Sequence, residues 1–336
     1  MEVVDVAEPE APAPGQVVIA PEAVGLCGSD FHYFHGDIGT IEDPSLLYPR
    51  VQGHEIAARI VETGDDCPPE LTVGTRVAVW PITSCGACYA CSVGRGNACV
   101  NISIIGIHHD GALQERVLIA ADHAFPVGDQ PAELAALIEP VSIAVRAVRR
   151  ARVVAGEMVV VLGGGPIGQA LALAATDVGA SVLLVDRLDS RLHFGAAFGA
   201  DLLQARDDVD LVGEVRDWAG GDGAPVVFEA TGVPALVQTG LELVAPAGRV
   251  VVVGLSSERA PVRVGDLPFR ELDLLGSSCC SADDFGTAVD LVGRRRSEVG
   301  ALVTHDFTLE QTPEAIAFAI ANPADVMKAI VRLPGI

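Results

Sequence analysis

Basic residues and aromatics are scarce in this sequence. Lys and Arg number 22 against 45 Asp and Glu among 336 residues, a formal net charge of −23, and Phe, Trp and Tyr together make up 4%. That balance excludes nucleic acid as a partner, because phosphates need Lys and Arg to displace their counterions, and an anionic membrane surface would repel the chain for the same reason. A secretory signal is also missing: residues 1–15 are acidic and proline-rich, with no basic start or apolar core, so a cytoplasmic location is expected. Long apolar runs are nearly absent. The one uncharged stretch, 158–176, carries Gly163-Gly164-Gly165-Pro166 near its middle, which would break a lipid-exposed helix and instead fits a strand, a turn and a helix. There is no internal repeat and no low-complexity tract.

Hydrophobic residues make up 50% of the chain, enough to offset the entropy of ordering it, which excludes disorder. At roughly 150 residues per domain, the length implies about two domains. Up to about residue 145 the sequence reads as β-rich, with short apolar runs at 16–21, 56–62, 76–80 and 114–120 separated by Gly, Pro and Asp turns. The spacing of Leu134, Leu137, Ile138, Val141, Val145 and Val148 predicts one helix over 133–152. A βαβ rhythm follows: strands at 158–162, 181–185, 225–229 and 249–254, apolar throughout as buried parallel strands are, with helices at 167–178, 191–198 and 235–243. The last fifty residues mix helix and strand, at 282–294, 312–320 and 329–333. The fold class is therefore α/β: a β-rich unit enclosing a doubly wound parallel-sheet unit.

Gly163, Gly165 and Gly168 form G-x-G-x-x-G between a strand and a helix opened by Pro166 and Ile167. The first glycine permits the tight turn, the second lets backbone approach a pyrophosphate, and the third lets helix and strand pack closely. The helix N-terminus adds free N–H groups and a positive dipole end. Asp186 ends the next strand, where a carboxylate accepts hydrogen bonds from ribose hydroxyls and repels a 2′-phosphate, which favours NAD over NADP. Arg187 and Arg191 pull the other way, since an arginine can neutralise that phosphate; Arg191 could also lie along the adenosine.

Eight cysteines might suggest disulfides, but Cys85, Cys88, Cys91 and Cys99 crowd into a single stretch at 85–99. Four thiolates in one loop suit a closed tetrahedral zinc site that leaves no position for substrate, so its task is structural. An iron–sulfur cluster is the competing occupant. A second constellation is dispersed: Cys27 at a strand end, His54 and Glu55 at a strand start, and Glu139 opening a helix. One thiol, one imidazole and two carboxylates could build an open zinc site. Equally, Cys27 could be a small buried residue, His54 a core histidine and Glu139 a charge complementing the helix dipole. Residue types alone leave both readings open.

The order of these motifs resembles that of the zinc-containing medium-chain alcohol dehydrogenases over nearly the whole chain. The match is nearest the polyol, sorbitol-like branch, through Cys27-Gly28-Ser29-Asp30-Phe31-His32-Tyr33 and Ile138-Glu139-Pro140-Val141-Ser142. The resemblance implies a GroES-like β-rich catalytic domain over 1–146 with a structural-zinc lobe at 85–99. A Rossmann-type NAD-binding domain over 147–281 and a return to the catalytic domain over 282–336 complete the division. It implies one catalytic and one structural zinc per chain, the first held by Cys27, His54 and Glu55, with Glu139 ligating directly or through water. Asp30 would orient His54, and Ser29 and His32 would relay the alcohol's proton. Ile167 and Leu255 would pack near the nicotinamide, and Lys328 would meet the pyrophosphate. The reaction expected is hydride transfer between a secondary alcohol (a polyol, sugar acid or cyclitol) and NAD, in a homodimer or homotetramer. A simple alcohol, or an amino alcohol such as threonine, is the alternative substrate, and a non-catalytic NAD-binding protein the alternative function. Zinc-free quinone or enone reductases of the same superfamily lack the Cys27, His54 and Glu55 set.

Two departures limit the substrate. Residues 1–4 line up with the family's second strand, so its opening strand is missing or differently built. Sorbitol-type enzymes also carry an Arg-Tyr pair where this chain has Cys279-Cys280, which removes a polar anchor and makes sorbitol itself doubtful. That cysteine pair is expected to be buried or pocket-lining thiols, since neighbouring cysteines bridge only with strain. Cys67, His108 and His109 are expected to be structural or surface features.

Overall fold

The computed structural model describes residues 1–36 and 48–334. The chain separates into two compact units, one of residues 1–142 with 279–336 and one of residues 143–278.

In the first unit the strands are β1 (Gln16–Gly25), β2 (Glu55–Thr63), β3 (Arg76–Val79), β4 (Ile82–Thr83), β5 (Ser103–Ile104), β6 (Val117–Ala120) and β7 (Ala124–Pro126). The second unit holds β8 (Met158–Leu162), β9 (Ser181–Asp186), β10 (Asp201–Gln204), β11 (Ala224–Glu229), β12 (Val244–Val252) and β13 (Asp273–Gly276). The chain returns to the first unit with β14 (Val303–Thr308) and β15 (Lys328–Arg332).

The large sheet of the first unit runs β14-β15-β1-β2-β3-β7, with β6 also on β1, and β4 pairs β5 apart from it. β1 is the hub: it lies antiparallel to β2, β6 and β15. Val17, Ile19, Ile56, Ile60, Val77 and Val331 fill the core between the sheet and its coverings. Each such side chain contributes about 1.5–3 kcal/mol when removed from water. This rigid core carries the ends of β1 and β2, from which the functional side chains project. Residues 1–12 form neither helix nor strand.

The second unit is a six-stranded sheet in the order β10-β9-β8-β11-β12-β13, parallel at every pairing. Both faces are covered, so Val159, Val160 and Val161, like Val226, Val227 and Phe228, are wholly buried. The strand order reverses between β8 and β11, and open α/β sheets bind ligands at such a reversal.

The helix expected over 133–152 is two helices, Ala132–Ala136 and Ile138–Ala151. Pro140 explains the break: it lacks the N–H that would bond back to Ala136, and its ring crowds that carbonyl. Placed in the first turn of the second helix, the same proline does no harm, and that turn presents Glu139. Six short strands (β4, β5, β7, β10, β13 and β14) lie outside the expected runs, because two to six residues carry too little alternation to stand out. No helix among the described residues is long and apolar enough to cross a membrane.

Candidate metal centres and cofactor loop

The four-cysteine loop is preassembled. All four sulfurs lie within 4.8 Å of one another. Cys88 Sγ is 3.5 Å from Cys91 Sγ and 3.8 Å from Cys99 Sγ, close to the separation of about 3.8 Å that a tetrahedron of 2.3 Å zinc–sulfur bonds requires. The N–H groups of Cys85 and Asn101 each donate to Cys99 Sγ at 3.3 Å. Backbone hydrogen bonds from Cys91 and Val100 pull the Cys88 thiol down to about 6, towards the thiolate that binds metal. Gly86 and Gly94, both at φ +71°, turn the loop, whereas Gly96 is needed for space, since a Cβ there would sit 2.9 Å from Ser84 Oγ. The residues fit a structural zinc.

The dispersed set is built differently. Cys27 caps helix α1 (Gly28–His35), and its N–H donates to Asp30 Oδ2 at 2.9 Å. Asp30 is buried, and its Oδ1 lies 3.8 Å from His54 Nδ1. The other ring nitrogen of His54 is 3.3 Å from Ser29 Oγ. His54 is aimed by Gly53, at φ +100°, where a Cβ would come within 2.8 Å of Val24 Cγ1. Burial works to lower the His54 pKa, but Asp30, the hydrogen-bonded Cys27 side chain and Glu139 hold it well above its ordinary value. Glu139, also buried, is pushed up to about 7 by desolvation first, with Glu55 and Asp30 adding and His54 and Lys328 opposing.

His54 and Glu139 are buried, Cys27 is half-buried at the end of β1, and the Ser29 hydroxyl lies beside the His54 ring. They do not converge as tightly as the knot, which is the only group of three or more metal-donor side chains within 4.8 Å among the described residues. Among the described residues His54 Nδ1 is buried without a hydrogen-bond partner, and it is the atom that Asp30 would hold once the ring ligated a metal through its other nitrogen. Thiol, imidazole and carboxylate are a donor set suited to an open zinc site, so these three residues fit that ion. His32 lies one turn beyond Ser29 on α1 and is exposed, as the solvent end of a relay must be.

Glu55 and Lys328 depart from expectation. Lys328 Nζ donates to both Glu55 carboxylate oxygens, at 2.6 and 2.9 Å, and to the Leu26 carbonyl at 3.0 Å. All three ammonium protons are therefore committed inside the first unit, and the residue is only 3% exposed. Lys328 is not available to a pyrophosphate; it is the counter-charge of Glu55. Glu55 occupies room left by Gly25 on β1, where a Cβ would meet Glu55 Oε2 at 2.0 Å, and its charge helps to raise Asp30 and Glu139. Nothing in the local sequence could have signalled this pair, because its partners are 273 residues apart.

Behind Glu139, Ser142 Oγ donates to the Glu139 carbonyl at 2.5 Å and lies 3.0 Å from Cys280 Sγ. Cys280 is fully buried, and burial pushes its thiol far up; Cys279 is half-buried, and both are free thiols, as expected of that pair. Trp80 Nε1–H donates to the Cys280 carbonyl at 3.4 Å.

In the second unit the glycine turn has the expected division of labour. Gly163 is at φ +104°, and a Cβ on Gly168 would lie 1.7 Å from the Gly163 carbonyl oxygen. A Cβ on Gly165 would meet only Arg191 Nη1, at 3.9 Å, so this face is open where a pyrophosphate would lie. Pro166 opens helix α2 (Pro166–Asp177), whose free N–H groups face that space. Asp186 accepts N–H bonds from Gly164 at 2.7 Å and Leu188 at 2.8 Å, with Arg191 Nη1 3.9 Å away. Ile167 is half-buried and Leu255 is 73% exposed. Gln169 went unnoticed in the sequence: buried, it donates to the Gly164 carbonyl at 2.8 Å and the Arg191 carbonyl at 2.7 Å, tying turn to helix. The signal available was an amide within an otherwise apolar helix face.

Comparison with known proteins covers both units. Residues 13–129 match the alcohol dehydrogenase GroES-like domain, and residues 166–294 match the zinc-binding dehydrogenase domain. The 2-dehydro-3-deoxy-L-galactonate 5-dehydrogenase of Pseudoalteromonas atlantica is 36% identical over 324 residues, 96% of this chain and 93% of its own length. Sorbitol dehydrogenase of Bacillus subtilis is 32% identical over 323 residues, 94% of this chain and 90% of its own. A solved chain from Sinorhizobium meliloti 1021, assigned as a zinc-binding dehydrogenase and bound to NADP, superposes with a TM-score of 0.87 at 31% identity, covering 98% of this chain and 95% of that one.

Proposed function

The chain belongs to the zinc-binding medium-chain alcohol dehydrogenases, in their polyol dehydrogenase branch, and from that premise we propose that it oxidises a secondary hydroxyl of a sugar acid or related polyol with NAD. The observation that supports this reading is the buried His54 ring, with the Ser29 hydroxyl 3.3 Å from one nitrogen and the Asp30 carboxylate 3.8 Å from the other, its charge balanced by Asp30, Cys27 and Glu139 from separate segments. Zinc held by those three would act as a Lewis acid that lowers the pKa of the substrate hydroxyl, and NAD would accept the hydride.

The chain's own residues supply orientation and proton transfer. Asp30 Oδ1, 3.8 Å from His54 Nδ1, would hold that nitrogen's proton once the ring ligates the metal, leaving the other nitrogen for the ion. Ser29 Oγ stands beside that nitrogen and takes the proton leaving the hydroxyl; His32, exposed on the same helix, passes it to solvent. Glu139, held near neutrality by burial, can ligate or accept a proton at physiological pH. The Asp186 carboxylate, braced by two backbone N–H groups, accepts from ribose hydroxyls and disfavours a 2′-phosphate, which supports NAD over NADP.

Sorbitol is disfavoured because Cys279-Cys280 offers no guanidinium, and the Cys280 thiol is buried against Ser142. A sugar acid, as in the name of the Pseudoalteromonas relative, suits this departure better. Eight free thiols suit a reducing cytoplasm, and a homodimer or homotetramer is the assembly proposed.

The test is a panel of C5 and C6 aldonates, their alditols, cyclitols and threonine with NAD, followed by NADH absorbance, with NADP alongside. The expectation is NADH formation with at least one aldonate or polyol. Full zinc occupancy with no NADH from any member would leave a non-catalytic NAD-binding protein; turnover of threonine alone would favour the amino-alcohol alternative.

A further inference from the structure

Glu229 ends β11 and is 1% exposed. Its Oε1 accepts the N–H of Thr231 at 2.8 Å, the N–H of Gly232 at 3.2 Å and the Thr231 hydroxyl. Three donors thus converge on one carboxylate oxygen. Yet among the described residues Glu229 takes part in no ion pair, unlike the buried Glu55 with Lys328 or Asp30 with His54. A buried carboxylate is costly unless hydrogen bonds and an opposite charge both offset the loss of water. Here the hydrogen bonds are present and the cation is not.

Its position says which cation would complete it. β11 neighbours β8 across the reversal of strand order. The phosphate turn follows β8 and the ribose-binding Asp186 ends β9, so the adenosine half of a dinucleotide takes the β9 side and the nicotinamide half the β11 and β12 side. Glu229 is built into that second side. The N–H groups of Val253 and Gly254, just past β12, donate to its carbonyl at 2.8 and 3.0 Å. A Cβ on Gly254 would lie 2.8 Å from Glu229 Oε2, and one on Gly163 would lie 2.8 Å from Thr231 Cγ2. The carboxylate thus braces one packed surface formed by the first glycine of the phosphate turn, residues 230–232 and the loop that carries Leu255.

We propose that Glu229 is a positioning residue that sets the redox preference of the bound cofactor: its buried negative charge favours the positively charged oxidised nicotinamide over the neutral reduced ring. The proposal rests on the NAD-dependent reading above. It makes Glu229 a bias towards alcohol oxidation, since NAD is held better, relative to NADH, than an uncharged site would hold it.

The experiment titrates the intact protein with NAD, NADH and ADP-ribose, by calorimetry and by NADH fluorescence, for the wild type, Glu229→Gln and Thr231→Val. Glu229→Gln keeps the shape and removes the charge; the ratio Kd(NAD)/Kd(NADH) rises about tenfold, while ADP-ribose, which lacks the ring, binds within twofold of wild type. Thr231→Val removes one donor from an exposed residue and leaves the charge less neutralised, so the ratio falls at least twofold. Parallel weakening of NAD and NADH in Glu229→Gln marks a purely structural carboxylate and overturns the proposal. Should Glu229→Gln fail to fold, Thr231→Val decides alone: a ratio unchanged or raised overturns it. A wild type that binds neither ADP-ribose nor NADH overturns the dinucleotide reading itself, and this proposal with it.

Discussion

The two metal-donor regions of the first unit solve the same chemical problem at opposite ranges. The knot draws Cys85, Cys88, Cys91 and Cys99 from one loop, and their sulfurs already stand within 4.8 Å of each other. The second set draws Cys27 from the end of β1, His54 from the start of β2 and Glu139 from a helix that begins at Ile138, and it is looser. A closed site can be written into a short loop because it needs nothing from outside. An open site must leave one face to substrate, so its donors come from several walls, and the fold rather than the spacing sets their approach. The price is buried charge: Asp30, His54, Glu55, Glu139 and Lys328 all lie under 10% exposed around the dispersed set, whereas the knot's donors are four cysteines alone.

That difference can be pressed hardest at the imidazole. His54→Ala is expected to lower kcat/KM by at least roughly 10³-fold, since one lost electrostatic stabiliser alone costs 10²–10³, while the knot keeps its zinc. Steady-state kinetics with a zinc count checks both halves; loss of the knot's zinc as well would mean that the two regions are not independent.

A second break concerns the buried pair of Glu55 and Lys328. Lys328→Met leaves the Glu55 carboxylate buried and unpaired, which costs about 3–5 kcal/mol in a denaturant titration, and the double variant Lys328→Met/Glu55→Leu recovers most of it. If Lys328→Met were instead stable and lost only NAD affinity, Lys328 would be a phosphate contact after all.

The smallest effect is expected one layer out from the metal donors. Asp30→Asn keeps the cap on α1 but weakens the hold on His54 Nδ1, so zinc affinity at the dispersed site falls roughly 10–100-fold. Competition with a graded chelator measures it, and an unchanged affinity would remove Asp30 from the site.

The same contrast of local and distant explains what the sequence disclosed. The strand–glycine turn–helix from β8 into α2, Asp186 at the end of β9 and the four-cysteine loop each lie within a few tens of residues, and each has a spacing that follows from its chemistry. The dispersed donors were legible only through the order of motifs in a known family. Lys328 shows the limit: a basic residue near the C-terminus suggests a phosphate contact, and only the pairing of β15 with β1 brings it to Glu55 instead. Pro140 signals the split at Leu137, but the apolar period runs unbroken across it and so masks the break. Gln169 and Glu229 carry no motif at all; their roles depend on which carbonyl, amide or glycine the fold sets beside them.

The central claim is that Cys27, His54 and Glu139 form a second, open zinc site distinct from the knot. Zinc counted by mass spectrometry on protein purified without chelator tests it most directly. The account predicts two zinc per chain in the wild type, one in His54→Ala with dehydrogenase activity gone, and one in Cys88→Ser with the activity of the folded fraction retained. A wild type that holds a single zinc, unchanged by His54→Ala, would contradict it.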